Sequence, residues 1–116
     1  MTFTIYHNPN CSKSRATLEI LESKGVETKI VEYLKNPLDK TELEGIIMKL
    51  NIQPKELVRF KDYEAKVLKI SYEDELTFDS WVSILVENPK LIERPIIISE
   101  KGAVIGRPPE NVLSLF

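Results

Sequence analysis

His7-Asn8-Pro9-Asn10-Cys11-Ser12-Lys13-Ser14-Arg15 lies between two different periodicities. On its N-terminal side Phe3 and Ile5 alternate with other residues, which predicts a strand. On its C-terminal side Ala16, Leu18, Ile20 and Leu21 recur at the spacing of one helix face. Cys11 therefore marks the point where a strand hands over to a helix. The first N–H groups of a helix have no partners within it and carry the positive end of its dipole, so this position favours a thiolate or a bound oxyanion. Lys13 and Arg15 add positive charge, and the pattern predicts a thiol ionised below its ordinary range and nucleophilic at neutral pH. A lone cysteine is by default a small buried residue, but this one stands in a polar, basic loop rather than inside an apolar run. His7, the single histidine, either adjusts the thiol's ionisation or is simply hydrogen-bonded at the strand end. Both readings stay open.

Outward from that loop, the first helix is expected to end before Gly25 in a left-handed cap, and Val26 to Tyr33 carries Ile30 and Val31 in a strand-like run. Strand, helix and parallel strand need a right-handed crossover. This places Cys11 at the carboxyl end of the first strand, where α/β sheets bind ligands. Asn36-Pro37-Leu38 is a loop. Asp39 with Glu42 forms a capping-box pattern before a helix carrying Leu43, Ile46, Ile47 and Leu50, closed by Asn51. Pro54 opens a short helical turn leading to Leu57, Val58 and Arg59. Helix is also expected between Lys61 and Glu75. Thr77 then caps a helix carrying Phe78, Trp81, Val82 and Leu85, which stops near Asn88 and Pro89. Ile96, Ile97 and Ile98 form a β-branched strand that turns at Lys101-Gly102 into Ala103, Val104 and Ile105. A last short helix uses Val112, Leu113 and Phe116 to cover the sheet.

The order β-α-β, several helices, β-β-α predicts an α/β fold, a thioredoxin-like mixed four-stranded sheet flanked by helices. The all-helical insertion spans approximately 38–90 within a single domain of 1–116. At 116 residues the chain can bury roughly two-thirds of its unfolded surface, so no disulfide staple is needed. A net charge of -2 gives no general attraction to nucleic acid or to acidic membranes. No apolar run is long enough to span a bilayer. One unpaired cysteine, with a strand pattern rather than an export signal after Met1, places the expected location in the cytoplasm. A metal site is not expected from one cysteine and one histidine, and no tightly bound cofactor is expected.

The opening loop, together with Leu91-Ile92-Glu93-Arg94-Pro95-Ile96 and Ile105-Gly106-Arg107-Pro108-Pro109-Glu110, closely resembles the glutaredoxin-linked arsenate reductase family. The resemblance runs from the first strand to the last helix. It implies that Cys11 attacks arsenate and that Arg59, Arg94 and Arg107 hold the oxyanion, with Ser12, Lys13 and Arg15 of the loop beside them. His7 and Ser14 are the accompanying catalytic candidates. The planar fork of arginine suits a tetrahedral oxyanion, and each charge-assisted bond contributes about 1.5–3 kcal/mol. Better-known members of the family have Cys-Gly-Thr-Ser-Arg where this chain has Ser12-Lys13, and they are longer at the C-terminus.

The resemblance further implies glutathione as co-substrate and glutaredoxin as partner, because one thiol cannot complete a two-electron reduction by closing an internal disulfide. A thioredoxin-like fold also occurs in RNA-polymerase-binding regulators of the Spx type. In those, a second cysteine stands where this chain has Ser14, so that reading survives here only without a disulfide switch. A thiol oxidoreductase acting on another substrate is the remaining alternative. A tyrosine-phosphatase-like loop is disfavoured, because it needs five residues between cysteine and arginine, whereas three separate Cys11 from Arg15. The Arg94–Pro95 bond is expected to be cis, opposite the cysteine.

Overall fold

A computed structural model of the chain describes residues 2–116, and these divide into two compact units. One is built from the chain up to Asn36 together with Arg94–Phe116; the other is Pro37–Glu93.

In the first unit, β1 (Thr2–Tyr6) leads into α1 (Ser12–Ser23) and then β2 (Glu27–Val31), which lies parallel to β1. A parallel pair needs a crossover of this kind. The α1 helix ends at Lys24, and Gly25 follows at φ +67°, a conformation glycine adopts without a Cβ clash. Far along the chain, β3 (Ile96–Ser99) pairs antiparallel with β1, and β4 (Gly102–Ile105) pairs antiparallel with β3. The sheet order is β2-β1-β3-β4, a mixed four-stranded sheet of the thioredoxin-like kind. Phe3, Ile5, Leu21, Ile97, Val112 and Leu115 form its core. Each such side chain stabilises the fold by about 1.5–3 kcal/mol relative to exposure.

The final segment departs from the expected pattern. Pro109–Leu115 is a 3-10 helix, in which positions three apart share a face, so Val112 and Leu115 turn inward while Leu113 faces solvent. Phe116 is part-exposed and stacks on Phe3, with ring centroids 4.9 Å apart.

The second unit is helical. In α2 (Lys40–Leu50) the Asp39 carboxylate accepts from the Glu42 N–H at 2.8 Å and Glu42 accepts from the Asp39 N–H at 3.4 Å, the expected capping box. Asn51 ends the helix in the left-handed region. Pro54–Leu57 is a 3-10 turn, and the Thr77 hydroxyl caps α4 (Phe78–Glu87) by accepting from the Ser80 N–H. Leu43, Ile46, Ile47, Leu57, Val82, Leu85 and Leu91 are buried, as is Trp81. The helix expected over Lys61–Glu75 is much shorter: α3 covers only Tyr63–Leu68. Lys69 takes φ +57° and ends it. Ser71 and Asp74 then close a turn on each other, the Asp74 carboxylate accepting from the Ser71 N–H at 2.9 Å and the Ser71 carbonyl from the Asp74 N–H at 3.1 Å. Among the described residues no helix is long and apolar enough to cross a membrane.

Candidate active site

The loop between β1 and α1 is fixed by its own polar groups before any substrate is considered. The His7 N–H donates to the Val31 carbonyl at 2.8 Å, tying the loop's start to β2. The Asn8 side chain accepts from the Asn10 N–H at 3.0 Å, and the Asn8 carbonyl accepts from the Cys11 N–H at 3.0 Å. Ser14 is fully buried; its hydroxyl oxygen accepts from the Asn8 N–H at 3.0 Å and lies 2.6 Å from His7 Nδ1. Burial lowers the His7 pKa; Glu32 opposes this and Arg15 reinforces it. The imidazole is therefore neutral at pH 7, and its Nδ1 can accept the proton of the Ser14 hydroxyl. This assigns His7 to a buried hydrogen bond that braces the loop. Arg15 faces outward and donates from Nη1 to the Pro9 carbonyl at 2.9 Å, closing the loop from the solvent side.

Cys11 is the N-cap residue of α1 and the only cysteine of the chain. Its part-burial pushes the thiol pKa up, but the Ser14 N–H, the Arg94 side chain and the Lys13 N–H, each hydrogen-bonding the sulfur, together with the Arg94 charge, outweigh it. The net shift is downward. The downward direction is the one the sequence predicts, and the helix-start N–H groups contribute as expected, but the charge acting on the sulfur is that of Arg94 rather than those of Lys13 and Arg15. Ser14 addresses the sulfur through its backbone N–H, while its hydroxyl is engaged with His7 and Asn8. Lys13 likewise contributes its N–H. The side chains of Ser12 and Lys13 are exposed.

The two arginines beside the thiol come from the other end of the chain. Arg94 precedes β3 and Arg107 follows β4, so the hairpin carries both to the end of β1 where Cys11 stands. Arg107 Nη1 donates to the Arg94 carbonyl at 3.0 Å and lies 4.0 Å from Cys11 Sγ. The Arg94–Pro95 peptide is cis, as expected from the sequence, and the Arg107–Pro108 peptide is cis as well. The third arginine of the expectation, Arg59, belongs to the helical unit, where its guanidinium pairs with Asp62 at 3.3 Å and Glu93 at 3.5 Å.

Three positions that matter here carry no obvious mark in the sequence. Thr17 is fully buried and donates to the Lys13 carbonyl at 2.8 Å, bonding the first turn of α1. Asn8, almost fully buried, looks like an ordinary turn residue. Gly106 is the point where β4, α1 and Pro95 meet: a Cβ there would lie 2.7 Å from Thr17 Oγ1 and 2.8 Å from Pro95 Cγ. Only its setting immediately before Arg107 hints at this.

The assembled site is one polarised thiol with two guanidinium groups and two helix-start N–H groups directed at the same small region. Such donors suit a tetrahedral anion placed for attack by sulfur. Among the described residues, no three His, Cys, Asp or Glu side chains gather in a way that could hold a metal ion.

Comparison with known proteins agrees with this geometry. Residues 6–115 match the model of the ArsC family. The arsenate reductase of Haemophilus influenzae is 43% identical over 116 residues, covering 99% of each chain. That of Neisseria meningitidis serogroup A is 39% identical over 109 residues, covering 93% of this chain and 92% of the relative. The solved structure of the arsenate reductase from Vibrio cholerae superposes with a TM-score of 0.94 at 38% identity, covering 100% of this chain and 98% of that one. With a match running from the first strand into the last turn, and the same fold in a solved relative, the chain belongs to the ArsC family.

Proposed function

We propose that this protein reduces arsenate to arsenite, with Cys11 as its single nucleophile and glutathione and glutaredoxin as the source of electrons. The observation that carries the reading is the convergence of Arg94 and Arg107 on one thiol, whose ionisation Arg94 and the N–H groups of Lys13 and Ser14 favour. The names of the similar reductases supply the oxyanion.

The Cys11 thiolate attacks arsenic(V), forming an S–As bond while an arsenate oxygen leaves as water, protonated by arsenate's own hydroxyl and by solvent. The N–H groups and guanidinium groups take up the negative charge gathered on the remaining oxygens. A glutathione thiolate then attacks the Cys11 sulfur. The S–As bond breaks with its electron pair going to arsenic, which departs as arsenite, and a Cys11–glutathione disulfide remains. Two sulfurs have lost two electrons and arsenic has gained them. A dithiol of the glutaredoxin type then exchanges with the mixed disulfide and restores Cys11.

The test is arsenate-dependent NADPH consumption in the presence of glutathione, glutaredoxin and glutathione reductase. Cys11→Ser should abolish it. Without glutaredoxin, the intact mass of the wild-type protein should rise by one glutathione after exposure to arsenate and glutathione. Sustained reduction by Cys11→Ser, or by wild type with no external thiol, would refute the mechanism. No arsenate turnover alongside specific capture of RNA polymerase would turn the reading to a non-redox regulator.

A further inference from the structure

β2 is an outer strand of the sheet, and its free edge pairs with no other described strand. The direction of its backbone groups follows from the ladder to β1. The His7 N–H donates to the Val31 carbonyl, and in a parallel pair alternate residues of a strand face its neighbour. Glu27, Lys29 and Val31 therefore turn their N–H and C=O groups towards β1, while Thr28 and Ile30 turn theirs outward. Val26 continues the alternation; its carbonyl accepts from the Thr28 hydroxyl at 3.2 Å, which leaves a second lone pair. The opposite edge is treated differently, since Asn111 Nδ2 donates to the Ile105 carbonyl at the end of β4. Along the open edge Glu27 and Lys29 are exposed and form no ion pair with another described residue. Ile30 is 48% exposed.

We infer that this edge is a self-association surface, on which β2 of a second copy pairs antiparallel to give a two-fold dimer with one continuous sheet. A symmetric contact between identical strand edges is antiparallel, and an open edge is a template for such pairing unless charge or geometry prevents it. Only outward-facing residues can exchange bonds, so the two-fold axis must pass through a residue of β2. Centring on Glu27 sets it against its own copy, and centring on Lys29 sets lysine against lysine; like charges directly opposite oppose pairing. Centring on Ile30 or Val31 brings Glu32 into the ladder, but the Glu32 carbonyl already accepts from the Lys35 and Asn36 N–H groups. Centring on Thr28 has none of these faults. Thr28 exchanges bonds with its copy, Val26 exchanges them with Ile30 of the second copy, and Glu27 stands opposite Lys29 on both sides of the axis. One face of the joined strands thus carries opposite-charge pairs and the other the apolar pair of Ile30 with Val26. The ladder ends at Gly25, whose φ of +67° breaks the extended run.

Because β1 runs parallel to β2, the two Cys11 loops fall at opposite ends of the joined sheet, and pairing leaves each thiol open. The test is sedimentation equilibrium of the whole protein in a reducing buffer, which keeps Cys11 from linking two copies. Wild type should show a concentration-dependent equilibrium between monomer and dimer. Glu27→Lys and Lys29→Glu should each raise the dissociation constant about tenfold or more, because each turns both cross-strand attractions into repulsions. An equimolar mixture of the two variants should recover the wild-type affinity, since every lysine then faces a glutamate. Cys11 alkylation should proceed at the wild-type rate in both variants, which checks that they are folded. In a Cys11→Ser background, Thr28→Cys should cross-link to its own copy under mild oxidation. The Cα atoms of such a hydrogen-bonded pair lie about 5.5 Å apart, within the span of a disulfide. Lys29→Cys in the same background should not cross-link.

A wild-type protein that stays monomeric at every concentration would overturn the inference. A dimer that neither charge reversal weakens, or a mixture that fails to recover affinity, would do the same by removing the Glu27–Lys29 pairs. Cross-linking through Lys29→Cys but not Thr28→Cys would show a different register and equally reject this one.

Discussion

At Cys11 the outcome is decided by competition between burial, which penalises the charged thiolate, and the donors that stabilise it. Arg94 supplies both a hydrogen bond and a charge, so Arg94→Ala should move the midpoint of thiolate absorbance upward and slow Cys11 alkylation at pH 7. An unchanged midpoint would mean the helix start alone sets the pKa. Because the folded pKa is lowered, the stability linked to Cys11 is present above the ordinary thiol pKa and is lost as pH falls through the folded value. His7 acts in a more acidic window. Its folded pKa is also lowered, so below the ordinary histidine pKa the unfolded chain binds more protons and stability falls with pH. Its ring resonances should titrate below the normal histidine value. A normal value would contradict the buried neutral pair with Ser14. Cys11 at a helix start was legible from Phe3, Ile5 and the spacing of Leu18 and Leu21. The His7–Ser14 bond was not, because a side-chain bond seven residues long depends on where the loop folds back.

At the scale of elements, local rules worked where the signal lay within one turn of chain. The Asp39–Glu42 capping box, the Thr77 cap and the glycine after α1 were readable for that reason. Asp39→Ala should cost about 0.5–2 kcal/mol in urea unfolding; a loss outside that range would mean the cap is redundant or serves more than α2. The rule failed over Lys61–Glu75, where apolar residues lack a continuous helical period and a side-chain-closed turn competes with the helix. It also failed at the C-terminus, where an α-helix and a 3-10 helix differ by which residue of Val112, Leu113 and Leu115 faces in. Gly106 shows what no local rule reaches. Three segments distant in sequence meet there, and Gly106→Ala should destabilise by about 1–3 kcal/mol through overpacking. It should also slow Cys11 reactivity by displacing Arg107. Unaltered stability and reactivity in this variant would show that Thr17 and Pro95 can yield.

Over the whole molecule, the groups around the thiol come from the two ends of the chain, while the stretch Pro37–Glu93 forms its own helical unit with its own buried side chains. The order of strands and helices in the sequence foretold this arrangement, because a late β-hairpin can complete a sheet begun by β1 and β2. Leu85 is fully buried in the helical unit, and Leu85→Ala should remove about 2–5 kcal/mol from the transition followed by Trp81 fluorescence. A smaller loss would mean the site closes over the missing atoms. Trp81 is the only tryptophan and Cys11 the only thiol, and they fall in different units. The wild-type protein thus carries a spectroscopic probe in one unit and a chemical probe in the other, with no engineered label. Recording fluorescence and thiol labelling across a single denaturant series would read each unit on its own channel. Superimposed curves would mean one cooperative transition, and separated curves two.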